Sequence, residues 1–304
     1  MKAWLAHENG RDLIGAVPPG WTVEVYAGEG TELPSDPATV EFWNAPFLAT
    51  GEVVALAEGM PALRVVQLNS AGADAWVGRL AGTVTLCDAR GVHDSSTAEW
   101  AAAAALAHFR NFPAFARAQA EARWAFTPTD ELAGKRVLIV GAGSIGSALA
   151  ARLAPFDVEI TLVARSARDG VEPVERLPAL LPDADVAVLL VPLTSHTRGL
   201  VDAKFLAALP DGALLVNAAR GPVVDTAALL AECASGRLNA ALDVTDPEPL
   251  PAGHQLWTLP NVFITPHVAG SVAGLHRRAF GLVGDQLRRY AAGEPLINVV
   301  TGDY

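Results

Sequence analysis

The chain has 304 residues, 51% of them hydrophobic, which is enough for about two domains with sizeable cores and excludes an intrinsically disordered protein. Its 33 acidic residues outnumber 22 Lys and Arg to leave a net charge of −11, without a basic run, and this argues against nucleic acid or an anionic membrane as a partner. The two cysteines, Cys87 and Cys233, give neither a disulfide framework nor a metal-ligand spacing and suit a reducing compartment. The stretch from Met1 to Glu8 meets charge too soon for a signal peptide, and the longest mild apolar run, Trp100 to Ala107, is too short to span a bilayer. A soluble cytoplasmic protein is expected.

In chain order, Trp21-Thr22-Val23-Glu24-Val25-Tyr26 alternates like a strand. Val40 to Trp43 is a second candidate, following the turn-rich Pro34-Ser35-Asp36-Pro37. Glu52 to Leu56 is helical in composition, and Arg64 to Leu68 and Thr83 to Leu86 read as strands. Strands alternating with helices imply a parallel sheet, so this part forms a small α/β domain. Thr97 is placed as the cap of a long alanine-rich helix from Ala98 to about Arg123, kinked at Pro113. Phe126 to Asp130 is a loop leading into the next strand.

That strand, Val137 to Val140, is a short apolar run of the kind buried in a parallel sheet. It stops at Gly141, and Gly143 and Gly146 complete G-x-G-x-x-G before a helix of mostly small residues through Leu153. Gly141 permits a tight turn, Gly143 lets the backbone approach a pyrophosphate, and Gly146 lets helix and strand pack closely. Free N–H groups at the helix start, through Ser144 and Ile145, meet the phosphates. Further strands follow at Val158–Val163, Asp185–Leu190, Ala213–Asn217, Leu238–Leu242 and Val262–Ile264, with a helix from Asp225 to Ala234 capped by Asp225. This is a doubly wound nucleotide domain, with its ligands at the carboxyl ends of the strands. The last helix, Val272 to Ala292, is placed back on the first domain. The expected division is therefore 1–97 with 272–304, and 98–271.

Three ionisable residues stand just beyond strand ends: Arg220 in Asn217–Asp225, Glu248 in Asp243–Pro251, and His267 in Ile264–Gly270. The doubly wound sheet turns all three toward the ligand crevice. Arginine holds a carboxylate in a fork, histidine exchanges a proton near neutral pH, and a carboxylate beside the histidine favours the imidazolium. The set suits reduction of a 2-keto acid. No second ligand stands at metal spacing from His267, so no metal is expected.

At these residues the sequence resembles the NAD(P)-dependent D-2-hydroxyacid dehydrogenases. The resemblance covers most of the chain, through Leu68-Asn69-Ser70-Ala71-Gly72-Ala73-Asp74, Ala98-Glu99-Trp100, the glycine motif, Pro192-Leu193-Thr194, Thr197-Arg198-Gly199-Leu200, and the segments around Arg220, Glu248 and His267. It implies a Rossmann-type domain and a smaller, discontinuous flavodoxin-like α/β catalytic domain. Because water must be excluded from the crevice, the two are expected to close on ligand about hinges near Thr97–Ala98 and Gly270–Ala273, where the chain crosses. It also implies a catalytic triad: His267 as acid/base, Glu248 as its partner, and Arg220 as the clamp on the substrate. Backbone N–H groups at Ala71 and Gly72 take the substrate carboxylate. Pro192, Thr194, Ala218, Asp243 and Gly270 resemble cofactor-lining positions, with Asp243 receiving the carboxamide. Trp43, Asn44 and Phe47 are candidates for the side-chain pocket. Family members are usually homodimers paired through the nucleotide domain.

The second strand of that domain ends at Ala164, followed by Arg165 and Ser166, where NAD-dependent members carry an acidic residue. Alanine does not bind a ribose 2′-OH, and Arg165, with Arg168 close by, suits a 2′-phosphate. NADP(H) is therefore expected to be preferred, with NAD(H) possible. The expected substrate is a small 2-keto acid such as glyoxylate or hydroxypyruvate, reduced to a D-2-hydroxy acid. The rivals are a 3-phosphoglycerate dehydrogenase, a formate dehydrogenase, which carries glutamine where Glu248 stands, and a non-enzymatic dinucleotide sensor like the corepressors of this fold.

Overall fold

The computed structural model describes residues 1–28, 32–47, 49 and 51–302. The chain divides into two compact units, 1–93 with 272–304, and 94–271. The first unit begins with β1 (Lys2–Leu5), α1 (Gly10–Leu13), β2 (Thr22–Val25), β3 (Phe42–Asn44), α2 (Gly51–Leu56), β4 (Val65–Gln67) and β5 (Thr85–Cys87). The second contains α3 (Asp94–Phe109), α4 (Phe112–Ala120), β6 (Arg136–Val140), α5 (Ser144–Leu153), β7 (Glu159–Ala164) and β8 (Val171–Pro173). It continues with α6 (Leu177–Leu180), β9 (Val186–Leu189), α7 (Ala203–Ala208), β10 (Leu214–Asn217), α8 (Thr226–Ala234), β11 (Asn239–Leu242) and β12 (Val262–Ile264). The chain then returns to the first unit as α9 (Leu275–Ala292).

The first unit is a five-stranded sheet of order β2-β1-β3-β4-β5, parallel throughout. That is the flavodoxin-like order. Its strands are covered on both faces: Trp4 faces a core with Trp43 and Val66, while Ala3 and Leu5 face another with Phe42 and Phe280. The second core is closed by α9, which lays Phe280, Val283 and Leu287 on the sheet. Gly284 permits this approach, since a Cβ there would stand 1.9 Å from the Ile14 carbonyl oxygen. Two expected pocket residues belong to this interior instead. Trp43 is fully buried, with its ring centroid 6.4 Å from that of Trp4 and 5.5 Å from that of Trp76. Asn44 is also fully buried, accepting from the Ala6 N–H and donating to the Gln67 carbonyl. A central strand covered on both faces leaves neither side chain a route to solvent. Phe47 is half-buried and stacks on His276.

The second unit is a seven-stranded parallel sheet of order β12-β11-β10-β9-β6-β7-β8. Counted from β6 it follows the doubly wound order 3-2-1-4-5-6, with β12 added at one edge. Alternation again fills two cores. Val137 and Ile139 face Ala101, Ala105, Leu149 and Leu153 of α3 and α5, while Leu138 and Val140 share the other core with Leu206 and Leu229. Asp225 caps α8 as expected, its Oδ1 accepting from the Ala227 and Ala228 N–H groups at 3.0 Å each.

The long helix expected from Ala98 to Arg123 is two helices. The first starts at Asp94, which leaves Thr97 inside it, and ends at Phe109; Asn111, at φ 53°, then turns the chain into α4. Pro113 lies in the first turn of α4, where its missing N–H has no helical partner to lose, so it starts a helix rather than kinking one. Cys87 and Cys233 are both buried, one in each unit, and burial pushes both thiols up to about 12. Among the described residues no helix is long and apolar enough to cross a membrane, and no cluster of three His, Cys, Asp or Glu could hold a metal ion.

Candidate active site

The second unit presents its functional loops at the carboxyl ends of its strands. After β6 the chain turns at Gly141 (φ 120°), where a Cβ would meet the Leu190 carbonyl carbon at 2.5 Å. At Gly146 a Cβ would stand 2.1 Å from the Gly141 oxygen, so only glycine lets α5 pack on this turn. Gly143 differs, because nothing lies within 4 Å of where its Cβ would be. Its backbone is open to a ligand. Gly143 also precedes the N-terminus of α5, whose first turn carries no acid and whose N–H groups receive no side-chain cap. Ser144 and Ile145 open that helix, and the Ser144 hydroxyl donates to Asp94 at 2.9 Å. An open glycine at an uncapped helix start fits the pyrophosphate of a dinucleotide.

The end of β7 lies beside this loop, because the Gly141 and Ala142 N–H groups both donate to the Val163 carbonyl. Ala164, Arg165 and Ser166 follow immediately. Arg165 is exposed, while the guanidinium of Arg168 folds back to donate to the Ala142 carbonyl. After β9, Pro192 and Thr194 are held in one turn. The Thr197 hydroxyl donates to the Pro192 carbonyl at 2.5 Å, and the Thr194 N–H donates to the Thr197 hydroxyl at 2.8 Å. Ala218 follows β10 and donates its N–H back to Leu189 of β9 at 3.3 Å.

The residues expected to act as the acid–base pair come from the next two loops. Nδ1 of His267 lies 2.6 Å from Oε1 of Glu248, with both side chains partly open to solvent. That contact orients the ring and leaves Nε2 for another partner. His267 has φ 54°, unusual for a residue with a Cβ and a known companion of functional sites. The Glu248 loop is fixed to its neighbour at Gly221, where a Cβ would stand 1.9 Å from the Thr245 oxygen, and by the Thr226 hydroxyl, which donates to the Asp246 carbonyl at 2.8 Å. Arg220 thus precedes a glycine packed directly against the segment leading to Glu248. Its own backbone is tied by Asn217, whose amide donates to the Arg220 carbonyl at 3.1 Å.

Asp243, at the end of β11, is 3% exposed and accepts from three donors: the Thr265 hydroxyl at 2.6 Å, the Val268 N–H at 2.8 Å and the Ala269 N–H at 2.9 Å. Its carbonyl accepts the His267 N–H at 2.8 Å, and Gly270 closes the loop. Sequence reasoning missed Thr265, and it missed the bond from Arg168 to Ala142. In the first unit, Ala71 and Gly72 lie in the loop after β4, where the Ser70 hydroxyl donates to the Gly72 carbonyl at 2.7 Å.

Comparison with known proteins identifies the family. The family described as D-isomer specific 2-hydroxyacid dehydrogenase, NAD binding domain, matches residues 102–269. A D-isomer specific 2-hydroxyacid dehydrogenase from Xanthobacter autotrophicus Py2, solved in complex with NADPH and MES, is 33% identical with a TM-score of 0.85, the match covering 99% of this chain and 97% of that one. An NADPH-dependent glyoxylate/hydroxypyruvate reductase from Sinorhizobium meliloti, solved with NADP and sulfate, is 28% identical with a TM-score of 0.85 and 98% coverage of both chains. A mitochondrial formate dehydrogenase from Oryza sativa subsp. japonica is 40% identical over 175 residues, which are 55% of this chain and 46% of that one. With two parallel sheets in these orders and a dinucleotide loop at the centre of one, the chain belongs to the D-isomer specific 2-hydroxyacid dehydrogenases, NAD(P)-dependent oxidoreductases of small 2-keto and 2-hydroxy acids.

Proposed function

We propose that this protein is an NADPH-preferring reductase of short 2-keto acids such as glyoxylate and hydroxypyruvate, yielding D-2-hydroxy acids. The observation that carries the reading is the 2.6 Å contact between His267 Nδ1 and Glu248 Oε1, in a loop that follows a sheet strand. The bound nicotinamide supplies the hydride. His267 holds a proton at Nε2 for the carbonyl oxygen as it becomes a hydroxyl, and Glu248 fixes the ring through Nδ1. Arg220 clamps the carboxylate and polarises the carbonyl. The backbone N–H groups of Ala71 and Gly72 are assigned a carboxylate. Asp243 receives the carboxamide, with Pro192, Thr194, Ala218 and Gly270 lining the cofactor.

Support for NADPH comes from Ala164, Arg165 and Ser166 beside the glycine loop, and from the NADP-bound state of the Sinorhizobium meliloti structure. The protein acts as a homodimer, as its exposed aromatic residues Trp124 and Phe126 suggest, and in the cytoplasm, whose reducing conditions suit two buried thiols. The test is kcat/KM for glyoxylate and hydroxypyruvate with each cofactor. Reduction is expected to be faster with NADPH. No turnover of either acid overturns the substrate class, and an equal or better kcat/KM with NADH overturns the cofactor preference. Arg165→Ala is expected to weaken NADPH relative to NADH by about 1.5–3 kcal/mol, as for a hydrogen bond to a charged group, measured as dissociation constants by fluorescence titration.

A further inference from the structure

His267 must keep its ring on Glu248 from a backbone conformation that a residue with a Cβ rarely adopts. Such a conformation persists only where the surroundings over-determine it. The hydrogen bonds that do so converge on one buried residue. Asp243 accepts the His267 N–H on its carbonyl, and the next two N–H groups, Val268 and Ala269, on its two carboxylate oxygens. Among the described residues, the one side-chain donor to that carboxylate is the Thr265 hydroxyl, at 2.6 Å from Oδ1. Thr265 also lends its carbonyl to the His267 N–H at 3.0 Å, so it closes the turn from both ends.

We infer that Thr265 is a positioning residue for the acid–base step. Its hydroxyl fixes the rotamer of Asp243, and Asp243 in turn fixes the backbone that aims His267 at Glu248. A hydroxyl is required here, because the buried Oδ1 of Asp243 would otherwise keep only the Val268 N–H. The methyl group of threonine is dispensable. This inference rests on the assignment of His267 as the proton donor.

The test compares Thr265→Val, which keeps the shape and removes the donor, with Thr265→Ser, which keeps the donor. Steady-state kinetics with NADPH and glyoxylate are combined with hydrogen–deuterium exchange of the cofactor-free protein over residues 265–270. Thr265→Val is expected to lower kcat by about tenfold to a hundredfold, as one lost hydrogen bond to a charged group implies. It should also speed exchange of the His267, Val268 and Ala269 amides, and Thr265→Ser should restore both properties. A Thr265→Val kcat within about twofold of wild type overturns the inference, as does a serine variant that behaves like the valine one. If wild type reduces no keto acid, the proposed function fails on its own, and the exchange data alone then decide whether Thr265 holds the loop. Unchanged exchange in Thr265→Val overturns the inference in that case.

Discussion

Arg220 enters its loop in extended backbone, φ −144° and ψ 148°, with its guanidinium donating to the Ala219 carbonyl at 2.8 Å. Its backbone is fixed by Asn217 and by the packing of Gly221, so a substitution at Arg220 removes a charge without moving a loop. Arg220→Ala should therefore keep the melting temperature and lose about 2–4 kcal/mol in kcat/KM, the cost of leaving a buried carboxylate without its partner. Near-normal kcat/KM for the best keto acid would remove Arg220 from the proposed site. The positions of Arg220, Glu248 and His267 beyond strand ends were legible in the sequence because each follows a short apolar run that forms a parallel strand. The hub at Asp243 was not legible. Its donors Thr265, Val268 and Ala269 stand 22, 25 and 26 residues away, and no periodicity marks a hydrogen bond between two loops.

Among the elements, the glycines sort by what a methyl group would meet. A Cβ at Gly221 would stand 1.9 Å from backbone, whereas Gly143 has open space. Gly221→Ala should therefore destabilise the fold by about 1–3 kcal/mol, the usual range for overpacking, while Gly143→Ala should leave the melting temperature unchanged and weaken NADPH binding. Equal melting temperatures for the two variants would contradict the packing described. The helix α3 carries a second, pH-dependent element. Burial beneath its neighbours pulls His108 below its ordinary value of 6.5. The native state then binds fewer protons than the unfolded chain, so this contribution to stability is complete above about pH 6.5 and is lost as pH falls from there toward the depressed native value. Urea unfolding at pH 7.5 and 5.5 should show a smaller loss for His108→Gln than for wild type. The α3–α4 break was illegible for a local reason. Alanine-rich sequence continues through it, and the turn depends on Asn111 adopting a left-handed conformation that asparagine permits but does not announce.

At the scale of the whole molecule, the sheet orders follow from strands alternating with helices, but which strand lies at an edge depends on tertiary packing. The short strands β1 and β8 were not legible, being only four and three residues long. The surface outside the sheets carries a different message. After α4 the chain runs without helix or strand, and there Trp124 is 96% exposed and Phe126 85% exposed. Two bare aromatic rings on a chain of net charge −11 are expected to be covered by a second copy. Trp124→Asp combined with Phe126→Asp should give a monomer in sedimentation velocity while wild type sediments as a dimer, and a monomeric wild type would rule out the homodimer. The buried thiols carry a consequence of their own. Each unit contains one cysteine, and neither reacts as a thiolate while its surroundings remain closed. The molecule therefore has a built-in pair of clocks: the alkylation rate at Cys87 times the opening of one half and that at Cys233 the opening of the other, so mass spectrometry of the unmutated protein can tell whether the two halves come apart together or in turn.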